Sequence, residues 1–306
     1  MTTLTQPAAS GALATAWQRI WRARRLVERN IMFYRHQWII ILSGVFEPIF
    51  YLLGIGLGLG AIIQEVTLTD GRVVAYAAFV APALLATAAM NGAVFETIFN
   101  VFFKLNFAKI YDGVLATPMG ITEIALGEMM WALMRAALYA VAMFVIMLFA
   151  GLILSPWGLL IVPAALLVAA AFAAAGLAGT SYLRTVNDFD VPMGLVVMPM
   201  FLFSGTFFPI SIYPLPIQVF MQATPLYHAI SLIRGLSTGS VGTAQLWDLA
   251  YLVSSSPSAC GSPCARWSAS SSSSHLRGAA RWGTGAVPVR CGAVRHCDPS
   301  HGSNDR

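Results

Sequence analysis

The chain has 306 residues, of which 58% are hydrophobic and 10% are charged, and its net charge is +5. Soluble domains carry about 25% charged residues, so this composition excludes a protein that is solvated on all sides. The first long apolar run follows a basic segment and has no small-residue cleavage site, so we expect an integral membrane protein without a cleaved signal peptide.

The N-terminal segment concentrates the positive charge. We predict that residues 1–12 are disordered and that residues 13–37 form a helix, because apolar and aromatic residues recur there at steps of three, four and seven. A basic amphipathic helix of this kind lies in the headgroup layer against anionic lipid, and we prefer this interpretation to nucleic-acid binding. The alternative is a plain extension of the first span. Arginines fill much of the polar face: Arg19, Arg22, Arg24, Arg25, Arg29 and Arg35.

Five apolar stretches are long enough to cross a bilayer, which takes about 20 residues in a helix. A sixth run begins at Leu246 and ends after Val253, which is too short. Lysine and arginine are concentrated on the side of the N-terminus, so the positive-inside rule places that terminus in the cytoplasm. The predicted fold class is an all-α integral membrane protein. Its predicted spans are residues 38–60, 73–94, 136–154, 158–183 and 191–209.

The first span contains an acid and a helix breaker, Glu47 and Pro48. Pro48 meets the carbonyl of Gly44, which has no side chain, so we expect a local bend inside a continuous helix. An acid at the membrane centre costs about 2.5–3.5 kcal/mol on insertion scales, so Glu47 should face the bundle or a wet cavity. It either lines a substrate route or makes a structural hydrogen bond between helices. The spacing of Gly54 and Gly58 permits close helix approach.

Residues 95–125 form a long cytoplasmic segment that is rich in phenylalanine and tyrosine. We predict that it continues the second span and then forms a short helix that ends near Pro118. Its aromatic side chains suggest a docking surface for another protein, and the alternative is packing against the chain's own helices. Glu128 and Arg135 lie seven residues apart on one face of the third span. We expect them to anchor its cytoplasmic end by snorkelling to water.

Two segments follow the fifth span. Residues around Pro209 and Pro214 are too apolar for a free loop and too interrupted for a span, so we predict an outer re-entrant element of two short helices. Residues 254–306 are rich in Ser, Arg, Gly, Ala and Pro and hold all four cysteines. The cysteine spacing does not indicate a metal site. We interpret this tail as disordered and as the product of a reading-frame change, separate from a membrane domain at 13–253.

Four motifs resemble those of type-2 ABC export permeases, nearest the branch of nodulation lipo-oligosaccharide and drug-resistance exporters. They read "FEPIFYLLGIGLGLG", "YDGVLATPMGITEIALGEMMWALMRA", "FLFSGTFFPI" and "PLYHAISLIRG". The resemblance covers residues 15–253. It implies six spans, a coupling helix between the second and third, and two permease subunits that pair with two separate ATPase subunits. This chain departs from the pattern because its sixth span is disrupted.

The resemblance implies a permease of the bacterial plasma membrane that exports a lipo-oligosaccharide, a glycolipid or a hydrophobic drug. The chain has no G-x-x-x-x-G-K-[ST] phosphate loop, so we expect no enzymatic activity of its own, and ATP and Mg²⁺ belong to the partner ATPase. The alternatives are an ion-coupled secondary transporter, which needs more intramembrane acids, and an inactive truncated permease. The expected partners are the ATPase, a second copy of the chain and lipid, with no nucleic acid.

The same resemblance, read beside the residue patterns, selects the candidate site residues. Those for coupling to the ATPase are Phe103, Tyr111, Asp112 and Pro118. Those for the pathway or its support are Glu47, Pro48, Gly54, Gly58, Glu128, Arg135, Ser204, Gly205 and Pro209.

Overall fold

The computed structural model describes residues 10–36, 38–68, 71–117, 119–180, 182–183, 185–240 and 242–255. The remaining residues, among them 1–9 and 256–306, lie outside the described residues. The predicted disordered N-terminus therefore falls outside them except for residues 10–12, and the predicted tail except for its first two residues. Pro118 lies outside them as well.

Helices dominate the described part of the chain, which confirms the predicted all-α class. Two short strands, β1 at Glu65–Thr67 and β2 at Val73–Ala75, form an antiparallel hairpin in which Glu65 pairs with Ala75. The helices are α1 Ser10–Tyr34, α2 Trp38–Tyr51, α3 Tyr76–Phe95, α4 Val101–Asn106, α5 Ile110–Leu115, α6 Ile121–Phe149, α7 Ile161–Thr180, α8 Met198–Phe203, α9 Leu215–Gln222, α10 Pro225–Thr238 and α11 at 243–255. Wider π-helical turns occupy Leu52–Leu57, Glu96–Asn100 and Val191–Val197, and 3₁₀ turns occupy Pro156–Leu160, Val186–Phe189 and Ile210–Ile212.

Four helical segments among the described residues are long and apolar enough to cross a membrane. The predicted first span appears as a shorter apolar helix, Leu42–Gly56, so the predicted count of five spans is not confirmed. The predicted start of the second span at residue 73 is wrong, because residues 73–75 pair as β2. We call the four segments the second to fifth spans: Tyr76–Asn106, Thr122–Phe149, Pro156–Thr180 and Val186–Phe203.

The second span is the centre of the bundle. Its apolar window is 89% buried, whereas that of the fifth span is only 11% buried. Helix α3 packs against α6, α7 and α10, and its many alanines let these helices approach closely. Gly92 illustrates the fit, because an added Cβ there would lie 2.8 Å from the Tyr139 ring. Helices in a membrane pack through small residues of this kind, because lipid provides no hydrophobic driving force for their association.

Helix α1 docks on α6 rather than lying only on a membrane surface. Its buried residues Ala23, Leu26, Asn30 and Tyr34 follow a helical period and form one face. An added Cβ at Gly127 of α6 would lie 2.9 Å from Leu26 Cβ and 3.1 Å from the Ala23 carbonyl oxygen. The helix begins at Ser10, three residues before the predicted start. The end of the bundle that carries this contact is called the α1 end below.

The opposite end of the bundle, where the β-hairpin lies, is held together by hydrogen bonds to backbone carbonyls. Gly205 has a φ of +76°, a conformation that glycine adopts without strain. Its carbonyl accepts a hydrogen bond of 2.9 Å from Arg234 Nη2, and the same guanidinium lies 3.8 Å above the Phe79 ring. Tyr76 donates to the Phe207 carbonyl at 3.2 Å. The turn after the fifth span is therefore bonded to both α10 and α3.

The expected re-entrant segment contains two short helices, α9 and α10, and α11 runs back along α10. His228 Nδ1 lies 2.6 Å from Asp248 Oδ1, and both side chains are buried. Tyr251 donates to the Ala223 carbonyl at 2.9 Å. The run from Leu246 to Val253, expected to be too short, thus belongs to a longer helix.

Two glycine positions behave differently from the expectation. Around Gly54 and Gly58 no described heavy atom comes within 4 Å of an added Cβ, so the predicted close helix approach at these positions is wrong within the described chain. Gly127 instead lies under α1.

We predict that Gly127→Ala weakens the docking of α1, because the new Cβ would lie 2.9 Å from Leu26 Cβ, which is fixed to the backbone and cannot rotate away. Overpacking of this kind costs about 1–3 kcal/mol, which lowers the midpoint of thermal unfolding in detergent. Gly54→Ala is the matched control, and its midpoint should stay at the wild-type value or above. Equal melting of the two variants contradicts the described α1–α6 contact.

Candidate functional site

A cavity of about 830 Å³ opens between the first, second, third and fifth spans. Apolar and aromatic side chains make most of its wall, and polar groups are few. The polar lining consists of Ser43, Glu47, Thr87, Asn91, Asn100 and Arg135, together with the hydroxyls of Tyr34, Tyr51 and Tyr139.

Glu47 is an acid in this wall that has no partner among the described residues. Pro48 is buried in α2 and does not end the helix. The neighbouring Glu47 side chain is exposed and lines the cavity, as expected for an acid that faces a cavity. Within the described chain its carboxylate has no hydrogen-bond or ion-pair partner, so the alternative of a structural hydrogen bond between helices is wrong there.

A second acid, Glu96, is completely buried at the cavity's α1 end. Its Oε2 accepts a hydrogen bond of 2.7 Å from Asn100 and forms a tight ion pair with Arg135 Nη1. The Lys104 ammonium lies 3.7 Å from its Oε1. A buried carboxylate is tolerated when cations and donors surround it in this way.

Lys104 joins this group to a third acid, Glu128 of α6. The Lys104 Nζ–Glu128 Oε2 distance is 2.7 Å, and only 1% of the Glu128 side chain is exposed. Asn30 of α1 donates to the same carboxylate at 3.4 Å, and Arg29 lies 3.8 Å away. We call Asn30, Glu96, Lys104, Glu128 and Arg135 the charge network.

The expected snorkelling of Glu128 and Arg135 to water is therefore wrong. Glu128 is buried against Lys104, and Arg135 is held by Glu96 and by a 2.8 Å hydrogen bond to the Tyr139 hydroxyl. Pairing inside the protein replaces solvation by water. Since Arg135 also lines the cavity, the charge network reaches from α1 to the cavity wall.

Part of the aromatic segment packs against the chain's own helices, and part of it remains exposed. Phe99 and Phe102 pack on Phe189 with ring centroids 4.3 and 4.8 Å apart, so this part contacts the chain's own fifth span. Phe103 and Phe107 stack at 5.2 Å and remain 43% and 61% exposed. We call these two residues the Phe pair.

Tyr111 fixes the short helix α5 to the bundle. Its side chain is 2% exposed. Burial, and then the negative charge of Glu128, raise the pKa of Tyr111 well above its ordinary value, so the phenol stays neutral. Tyr111 is thus an anchor and not a surface contact. Asp112 lies in the same helix, and Pro118, which follows it, lies outside the described residues.

The remaining candidates lie away from the cavity. Ser204 is buried and donates to the Met200 carbonyl, Gly205 accepts from Arg234, and Pro209 precedes the turn Ile210–Ile212. These residues support the hairpin end, and Gly54 and Gly58 do not belong to the cavity wall.

Sequence reasoning missed Glu96, Lys104 and Asn30 as site residues. A usable signal existed for the first two, since Glu96, Asn100 and Lys104 are spaced four residues apart and share one helix face. Asn30 had no such signal, because its partner Glu128 lies 98 residues away.

We predict that Lys104→Met destabilises the fold, because it leaves two buried carboxylates with less compensation. Breaking one partner of a buried pair costs about 3–5 kcal/mol. The double variant Lys104→Met/Glu128→Gln removes a charge of each sign and should recover part of this loss in a double-mutant cycle of unfolding in detergent. Glu28→Gln, in an exposed pair with Arg24, should change little. Additive losses in the cycle argue against a coupled network.

The comparisons with known proteins agree on one family. The model of the family described as ABC-2 type transporter matches residues 23–237. A nodulation protein J from Rhizobium leguminosarum bv. trifolii is 33% identical over 228 residues, which are 73% of this chain and 81% of that protein. One from Sinorhizobium fredii (strain NBRC 101917 / NGR234) is 34% identical over 219 residues, 71% and 79%. One from Rhizobium meliloti (strain 1021) is 31% identical over 226 residues, 73% and 82%. No solved structure gives a significant match.

Proposed function

Because this chain belongs to the ABC-2 type transporter family, whose members are membrane subunits of transporters, we propose that it exports an amphipathic cargo across the bacterial plasma membrane. Separate ATPase subunits bind ATP and Mg²⁺, and two copies of the chain assemble with them. The cargo class comprises lipo-oligosaccharides, glycolipids and hydrophobic drugs. The N-terminus, and with it the α1 end, faces the cytoplasm.

The cavity between the spans carries this proposal. Its volume of about 830 Å³ falls in the range of about 300–1,000 Å³ that small-molecule pockets occupy. Its wall combines aromatic rings with a few polar groups, which suits a cargo that has an apolar and a polar part. The fifth span, largely unburied, is the wall that can move most easily, because few packed contacts hold it.

The charge network is the proposed route from the ATPase to the cavity. The exposed Phe pair and α5 lie at the α1 end, where a cytoplasmic partner would dock. Lys104 follows Phe103 directly in the chain and holds Glu96 and Glu128. Glu96 in turn holds Arg135, which lines the cavity. A displacement of α4 by the ATPase therefore moves a charged group in the cavity wall.

An ion-coupled transporter is the weaker alternative. Glu47 is the only acidic side chain in the described wall of the cavity, and such transporters generally carry relays of ionisable groups. Transport into inside-out vesicles separates the two classes. An exporter requires ATP and its ATPase subunit, whereas an ion-coupled carrier runs on an ion gradient alone.

We predict that Phe103→Ala/Phe107→Ala weakens binding of the ATPase subunit more than tenfold, since buried aromatic anchors at interfaces contribute about 2 kcal/mol or more each. The measurement is recovery of an ABC ATPase, identified by mass spectrometry, with the tagged chain from native membranes. Phe149→Ala is the control, because Phe149 is 87% exposed at the opposite end of the third span. Equal recovery with both variants removes the Phe pair from the interface.

A further inference from the structure

Among the described residues that line the cavity, one charge is not balanced by the fold. In the charge network, Lys104 and Arg135 balance Glu96 and Glu128, with Arg29 at the exposed edge. Glu47 has no such partner within the described chain, although its carboxylate lines the same cavity. An unpaired carboxylate in apolar surroundings is costly. A cationic group of a bound molecule supplies the ion-pair partner that the described chain does not give this carboxylate.

The surrounding wall favours a cation as well. Tyr34, Tyr51, Phe95, Phe99 and Phe201 all line the cavity. Aromatic faces attract cations, by about 2 kcal/mol or more in desolvated sites. Arg135 cannot satisfy Glu47 in this arrangement, because Glu96 and Tyr139 already engage its guanidinium. Hydroxyl groups of a neutral cargo could bond to the carboxylate but would leave its charge uncompensated.

We infer that the cavity selects amphipathic molecules that carry a positive charge, and that Glu47 is the residue that binds this charge. The inference rests on the proposed function, since it specifies the cargo class of the same cavity. The apolar part of the ligand lies among the aromatic side chains, and its cationic group lies beside the Glu47 carboxylate.

The test uses two probes of nearly the same size and shape and opposite charge, tetraphenylphosphonium and tetraphenylborate. Equilibrium dialysis measures their binding to the full chain in lipid nanodiscs, after subtraction of binding to empty nanodiscs. We expect saturable binding of the cation and none of the anion. Glu47→Gln should weaken cation binding at least tenfold, whereas Glu47→Asp should retain most of it.

Two controls keep the outcome unambiguous. Glu65→Gln removes an acid on β1, outside the cavity, and should bind the cation like the wild type. Thermal unfolding of each variant in nanodiscs shows that Glu47→Gln is folded. Equal affinity for both probes, or wild-type affinity of folded Glu47→Gln for the cation, overturns the inference.

The same experiment is independent of the exporter proposal, because no ATPase takes part. If the chain binds the cation through Glu47 but never associates with an ABC ATPase, the exporter proposal fails and the charge selectivity stands. If ATP-driven export is demonstrated but the cation does not bind, the charge selectivity fails and the exporter proposal stands.

Discussion

The Lys104 ammonium lies between two buried carboxylates, and much of the α1 end depends on this arrangement. Glu128, on α6, is 2.7 Å away, and Glu96, in the π-helical turn of the second span, is 3.7 Å away. Buried ions of either sign are unstable alone, so each of the three elements holds the next in position. Asn30 extends the same constraint to α1. The helix that the arginine pattern assigns to the membrane surface thus becomes part of the bundle.

The two ends of the bundle are fastened by different means, and the cavity lies between them. At the hairpin end, Arg234 bonds the turn at Gly205 and covers the Phe79 ring. At the α1 end, several mutually dependent ion pairs take this role. The fifth span has few buried residues between these ends. A wall that is fixed at its ends and loosely packed along its length suits a cavity that must admit and release a cargo.

Much of the architecture follows from the sequence, because an apolar run long enough to span a membrane can adopt few structures other than a helix. The helical class and the position of Glu47 toward a cavity were predictable from composition and from the high cost of intramembrane charge. The residues at which the spans begin and end were not predictable in this way. Glu96 and Lys104 lie beyond the apolar run at residues 73–94, yet they belong to the helix of the second span, because Arg135 and Glu128 pair with them.

Long-range pairing accounts for the remaining differences. Nothing in the local sequence of Arg135 indicates that its partner is Glu96, 39 residues earlier, rather than water. Likewise, nothing in the local sequence indicates that Asp248 of α11 pairs with His228, 20 residues earlier. The glycine spacing predicted a helix contact at the wrong place. Gly54 and Gly58 face open space, whereas Gly127 packs against α1.

The central claim is that the charge network transmits motion from the ATPase to the cavity. Spin labels at Leu53 and Leu195, exposed positions on the first and fifth spans, can report the width of the cavity once the four native cysteines are replaced by serine. In the assembled transporter, addition of a non-hydrolysable ATP analogue with Mg²⁺ should change the distance between the labels. The change should be lost in folded Lys104→Met/Glu128→Gln assembled with the ATPase. An identical change in that variant would contradict the account.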